Sequence, residues 1–186
     1  MSSQPGNDIL TAPQLRLVGP VDEAMYAEFR NQLSAAPTDG PLVIAITTLG
    51  GNPEIARAMA DDVRLLAEAG RKIHFLGKAA VYSAGATFMA GFPRSNRWMT
   101  KGSSILLHER QIAKTINLNG PLKSCTAQLK AALHEIEHSI DLEEAGFRAI
   151  VEGSDVDFEE VQRRAPDNWY LSCEDAADKG IIAGVI

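Results

Sequence analysis

The sequence predicts an α/β protein. Short apolar runs, such as LVIAIT at 42–47, alternate along the chain with segments of helical period. Several helical segments open on a capping residue and close on glycine or proline. The length of 186 residues and 45% hydrophobic content suit one domain with one core. That domain is expected over residues 13–186, behind a disordered tail at 1–12, because 1–8 (MSSQPGND) is polar and carries Gly and Pro.

Taken in order, LRLV at Leu15–Val18 reads as a strand closed by Gly19-Pro20. A helix follows, with Asp22 as N-cap and Met25, Phe29 and Leu33 four apart on one face. Pro37 and Asp39-Gly40 end it. The run 42–47 is continuously apolar and rich in β-branched residues, as a strand covered on both faces reads. Gly50-Gly51 opens the next helix, where Asn52 caps and Pro53 occupies the first turn, a place where its missing N–H costs nothing. Ile55, Met59, Val63 and Leu66 form its buried stripe and Gly70 ends it. KIHFL at 72–76 is a strand, 83–90 a short helix of small residues, and Trp98-Met99 and 104–108 (SILLH) two more strands. Leu122–Val151 is one long helix, with Leu129, Leu133, Ile136, Ile140, Phe147 and Ile150 at spacings of three, four and seven. A helix at 157–165 has an Asp157/Glu160 capping box. Ser172 caps a last helix ending at Gly180, before a final strand at 181–186.

The bulk properties exclude several classes. A formal net charge of −6 offers no basic excess to neutralise phosphates, so neither nucleic acid nor an anionic membrane is an expected partner. Cys125 and Cys173 read as reduced thiols, and with the N-terminus lacking a secretory pattern this points to the cytoplasm. No stretch reaches the roughly 18 apolar residues that span a bilayer.

Three segments carry candidate chemistry. In Thr47-Thr48-Leu49-Gly50-Gly51-Asn52 a buried strand runs through two glycines into a helix start, whose free N–H groups can stabilise an anion. Alone it equally describes a plain strand-to-helix turn. In Val81-Tyr82-Ser83-Ala84-Gly85-Ala86 a serine opens a small-residue helix, a partial match to a nucleophile elbow with Val81 in place of the first glycine. Alone it equally describes an N-cap serine. His108 ends an apolar strand and is held firmly there, as a general base must be. A serine hydroxyl needs such a partner before it becomes a nucleophile.

Together and in this order, ITTLGG, YSAGA 32 residues on, and SILLH with its histidine 25 residues after the serine resemble the Clp protease proteolytic subunit. The stretch DNWYLSCEDAADKG at 167–180 is similar to that family's Asp-containing turn before a Ser-x-x-Glu-Ala helix. The resemblance covers about residues 15–186. It implies a ClpP/crotonase-like ββα spiral with a long projecting handle helix at about 121–152. It implies a serine endopeptidase in which Ser83 is the nucleophile, His108 the base and Asp167 the residue that orients His108. Gly51 and Ala84 would supply the oxyanion-hole N–H groups. The substrate would be a peptide or unfolded protein, cleaved inside homo-oligomeric rings. An AAA+ unfoldase is the family's partner, although the segment before Leu15 is short for the helix and axial loop that engage it. No cofactor is implied. Thr48 and Leu49 stand where the family has serine and proline, the interval from His108 to Asp167 is longer, and Asp167 sits one residue further than usual from Leu171-Ser172. Asn168 is therefore the alternative third member.

His134-Glu135-Ile136-Glu137-His138 matches the zinc motif H-E-x-x-H. It lies mid-way along a charged helix without an obvious third ligand, and reads as a polar helix face. Two other functions stay open: a catalytically silent ring subunit, and a CoA-thioester enzyme of the crotonase group.

Overall fold

The computed structural model describes residues 7–186. Seven strands form one sheet: β1 (Leu15–Val18), β2 (Leu42–Thr48), β3 (Ile73–Tyr82), β4 (Arg97–Met99), β5 (Ser104–Leu107), β6 (Trp169–Ser172) and β7 (Gly184–Val185). The path runs β1-β2-β3-β4-β7, with β5 pairing with β3 and β6 pairing with β5. Every pairing is parallel except β5 with β6. Helices cross over between the parallel strands, as such strands require: α2 (Glu23–Ala35), α3 (Pro53–Glu68) and α4 (Ala84–Ala90). The 30-residue α5 (Leu122–Val151) and then α6 (Phe158–Arg164) connect the antiparallel β5 and β6, and α7 (Cys173–Asp178) follows β6.

Strand β3 decides the architecture. Its first half pairs with β4 through Phe75, Leu76 and Gly77, and its last three residues pair instead with β5. Between the halves the backbone kinks at Ala79, whose φ is 55°. The register with β2 shifts at the same level, and Thr47 Oγ1 bridges the gap by donating to Lys78 O at 2.9 Å. The strand therefore turns into a second, smaller layer and delivers its end to the start of α4. The expected strand at 72–76 is thus the first half of a longer one. Exposed Lys78 and Ala79 at the kink break its apolar pattern.

The expected caps form. Asp22 accepts from Met25 N–H at 2.9 Å, Asn52 from Glu54 N–H at 2.9 Å, Asp157 from Glu160 N–H at 2.7 Å and Ser172 from Asp175 N–H at 3.0 Å. The core lies between the sheet and α2–α4, with the last turns of α5 closing it through Phe147, Ile150 and Val151. Phe88 of α4 packs edge-on against Phe29 of α2 and Phe75 of β3, at centroid distances of 5.9 and 6.2 Å. Burying such a ring contributes about 1.5–3 kcal/mol, which seats α4 and the turn before it.

The expected disordered tail is corrected over part of its length. Asn7–Thr11 is a short helix, α1, because Leu10 has an apolar seat on the outer sheet face among Val43, Ala45, Leu76 and Trp98. Gln14 then stitches the chain to β2 through bonds with both backbone groups of Val43. Residues 1–6 lie outside the described residues. The final strand is also shorter than expected, since Ile181 and Ile182 are buried in a turn and only Gly184–Val185 pairs with β4.

Candidate active site

Glycine first shapes the place where β2 enters α3. Gly50 (φ 115°) and Gly51 (φ 149°) both take backbone angles that side chains disfavour. A Cβ at Gly51 would lie 2.3 Å from Val21 O, and one at Gly50 would lie 2.9 Å from Ser83 Cβ. Only glycines allow this turn to close on Val21 and to lie directly on Ser83. Val21 bonds to Gly50 O and to Asn52 N–H, at 2.9 and 2.7 Å. In such a parallel bridge the intervening residue turns its own N–H away, so that of Gly51 faces the other side of β2, where β3 runs. Thr48, buried, folds its hydroxyl back onto the N–H of Gly50 at 3.1 Å and fixes the turn.

Ser83 sits between β3 and α4 with φ 54° and ψ −113°. A non-glycine residue in that region carries strain of order 1–3 kcal/mol, as at a nucleophile elbow. The Ser83 N–H is held by Leu106 O at 2.9 Å. Its side chain makes no capping bond to α4. The N–H of Ala84, first in the helix, is one of the donors a helix start leaves unpaired. Gly85 packs so closely on Thr48 that a Cβ would meet its Cγ2 at 2.5 Å.

His108 follows β5 directly and is half-buried. Its Nδ1 lies 2.7 Å from Glu109 O. With the proton on Nδ1 and donated to that carbonyl, Nε2 is left as the basic nitrogen. Ser83, Gly51, Ala84 and His108 line one cleft of about 960 Å³. Leu49, 78% exposed, stands at its mouth. Among the described residues no hydrogen bond joins Ser83 to His108.

Asp167 is placed differently. It ends a 3-10 turn at Ala165–Asp167 and is exposed; it neither lines the cleft nor bonds to His108 among the described residues. Asn168 follows in a left-handed conformation, φ 59°. The β5–β6 register pairs Leu107 with Trp169, and one more step sets Asn168 across from His108. The sequence missed β6 itself, because a four-residue strand alternating buried and exposed reads equally as a turn. Trp169 is core, stacked under the Arg164 guanidinium at 4.7 Å. Tyr82 and Tyr170 meet edge to face at 5.5 Å, and Tyr82 Oη bonds with Ser104 Oγ at 2.9 Å, so none of these three rings lines the cleft.

Three further charged residues line the cleft. Arg110 reaches Glu54 of α3, Nη1 to Oε1 at 2.6 Å, while its backbone N–H donates to Glu143 of α5. Burial raises the pKa of the Glu143 carboxyl above the usual carboxylate value. Arg57 and Arg110 hold the pKa of the Glu54 carboxyl down, outweighing the opposing effect of its partial burial. No local signal marks a glutamate on a charged helix as cleft-facing. On the outer face of α5, His134 and His138 are exposed, and Glu135 pairs with Lys114. Among the described residues no three His, Cys, Asp or Glu side chains cluster as metal ligands.

The model of the Clp protease family matches residues 2–186. The chain is 23% identical over 172 residues to the ATP-dependent Clp protease proteolytic subunit 3 of Rhizobium etli, covering 91% of this chain and 81% of that protein. It is also 23% identical over 172 residues to subunit 2 of Pseudomonas aeruginosa, covering 91% and 79%. Among solved structures, an Asn-to-Asp mutant of ClpP1 from Listeria monocytogenes superposes with a TM-score of 0.74 at 18% identity, over 97% of this chain and 94% of that one. With a parallel sheet, a long helix and a family match along nearly its whole length, the chain belongs to the Clp protease family.

Proposed function

We propose that the chain is a serine endopeptidase acting on peptides or unfolded proteins. The observation that carries this reading is Ser83, strained at a strand-to-helix turn in one cleft with Gly51, Ala84 and His108. Ser83 Oγ attacks the scissile carbonyl as His108 Nε2 takes its proton, and the imidazolium then returns that proton to the leaving amine. The N–H groups of Gly51 and Ala84 receive the oxyanion; one such donor is typically worth about 3–4 kcal/mol. Water repeats the sequence on the acyl-enzyme. Assembly into homo-oligomeric rings would keep this cleft from folded proteins, with an AAA+ unfoldase as the family's feeding partner. A cytoplasmic location fits this reading, and among the described residues no helix is long and apolar enough to cross a membrane.

A second reading has one observation behind it. His108 Nδ1 is taken by Glu109 O, and Asp167 stands apart, as in a silent ring subunit. Covalent labelling with a fluorophosphonate, read by intact mass, separates the two. The peptidase reading expects one adduct on the wild type, none on Ser83→Ala, and labelling slowed roughly 10²–10⁴-fold in His108→Ala. Folded wild-type protein without an adduct would establish the silent subunit instead.

A further inference from the structure

A peptide bond reaches Ser83 only by lying between two walls. Its carbonyl oxygen must face Gly51, at the turn into α3, and its amine must face His108, at the end of β5. Each wall carries a charged side chain close to that point: Glu54 stands three residues after Gly51, and Arg110 two residues after His108. Both line the same cleft as Ser83. Arg110 Nη1 donates to Glu54 Oε1 at 2.6 Å, so the two walls are tied together near the serine. A main chain cannot thread a closed hydrogen bond of that length; it passes between the walls there only when the bond opens.

The tie is built to open. Residues 108–119 belong to no helix or strand. Charged contacts fix this segment to α5, where Glu143 accepts the Arg110 N–H and Glu135 pairs with Lys114. Among the described residues, its one hydrogen bond to α3 is that of Arg110 with Glu54. Opening that bond strands neither partner. Glu54 keeps Arg57, whose Nη1 donates to Oε2 at 2.6 Å, and the Arg110 side chain, already 21% exposed in the closed pair, turns to solvent. The anchors to α5 stay in place, so the segment is a strap held to α3 at a single point. A partly exposed ion pair shifts an equilibrium by up to about fivefold. That favours the closed cleft and still yields to a bound peptide.

We propose that the Glu54–Arg110 ion pair is a latch that holds the cleft closed to extended peptides and leaves Ser83 open to small electrophiles. This rests on the serine-peptidase reading. The latch acts on access alone. Neither residue bonds to Ser83 or His108 among the described residues, so opening it leaves nucleophile and base where they are.

The test compares two serine-directed reagents on the full chain. Diisopropyl fluorophosphate is compact, whereas a tetrapeptidyl diphenyl phosphonate must lie along the cleft. Intact mass gives the ratio of the peptidyl rate to the small-reagent rate for wild type, Glu54→Gln, Arg110→Gln and the double variant, with thermal unfolding to verify that each folds. Each single substitution is expected to raise this ratio about three- to fivefold. The double variant goes no further than either single, because two halves of one latch are not additive. Raising NaCl from about 0.05 to about 1 M lifts the wild-type ratio by a similar factor and leaves that of Glu54→Gln in place, since salt screens the pair only where it exists. A ratio that fails to rise in one single variant or in both overturns the proposal, including the case where both rates fall together and the residues are merely structural. An additive double variant, or an equal salt response in Glu54→Gln, assigns the barrier to other charges and overturns it too. Wild-type protein that labels with neither reagent fails at the underlying reading, which separates that failure from this one.

Discussion

At the scale of single residues, backbone conformations and buried polar atoms carry the consequences. Gly51 closes on Val21 with no room for a side chain, so Gly51→Ala must push β2 off the start of α2. We expect a loss of about 2–3 kcal/mol in urea unfolding, together with slower fluorophosphonate labelling, because the displaced N–H belongs to the cleft. His74 is 1% exposed and both ring nitrogens lack a partner. Burial lowers its pKa below 6.5, aided by the charge of Lys72. As pH falls through 6.5 the unfolded chain takes up this proton first and the folded chain does not, so stability drops until the folded pKa is reached. The loss is up to about 1.4 kcal/mol per pH unit in that window. Replacing it in His74→Phe should flatten Tm between pH 7.5 and 5.5 relative to wild type. An equally steep decline in the variant would place the acid sensitivity elsewhere. Residues of this kind differ in how well a sequence shows them. Ser83 and His108 stand at element ends, where local pattern singles them out. Glu143 and Arg110 become neighbours only when α5 folds back on the segment that follows β5.

At the scale of elements, the helices and most strands were legible because caps and apolar periods are local. Asp22, Asn52, Asp157 and Ser172 all cap as their spacing implies. The kink of β3, the strand β6 and the seat of α1 depend on partners distant in sequence, and no local period encodes them. Arg97 is the plainest case. It reads as one surface cation among many, yet it is 4% exposed and its guanidinium donates to Phe92, Ala90, Ala149 and Ile150 carbonyls. Burial lowers its pKa to about 10, still charged at neutral pH. The side chain thereby ties the last turn of α5 to the end of α4, the helix that follows Ser83. Arg97→Met should cost about 3 kcal/mol in urea unfolding, since several carbonyls lose their donor at once. Arg97→Lys should recover only part of this, because an ammonium cannot span the same fork. A loss below about 1 kcal/mol in Arg97→Met would show that water replaces the guanidinium freely.

At the scale of the whole molecule, the handle leaves more apolar surface in water than one chain explains. Leu122, Leu129, Leu133, Ile136 and Ile140 are each between 38% and 86% exposed along α5, and Ile112, Ile116 and Leu118 continue the surface on the extended segment before it. Scattered apolar residues need no explanation, but a stripe at spacings of seven, four and three is a helix face awaiting a partner. We expect a second copy to supply the matching face, as in closed symmetric assemblies. We therefore expect light scattering to give a mass several times the 20.0 kDa of one chain. Leu133→Glu combined with Leu129→Glu, both remote from the cleft, should reduce that mass by placing four like charges at each two-fold contact. The folded core does not use these side chains, so Tm measured at low protein concentration should change little. If mass is unaltered by the double substitution, the stripe is not the contact between copies. If mass falls while fluorophosphonate labelling persists, assembly encloses the cleft without building it; if labelling falls with the mass, the handle must be held by a neighbour for the base beside Ser83 to work.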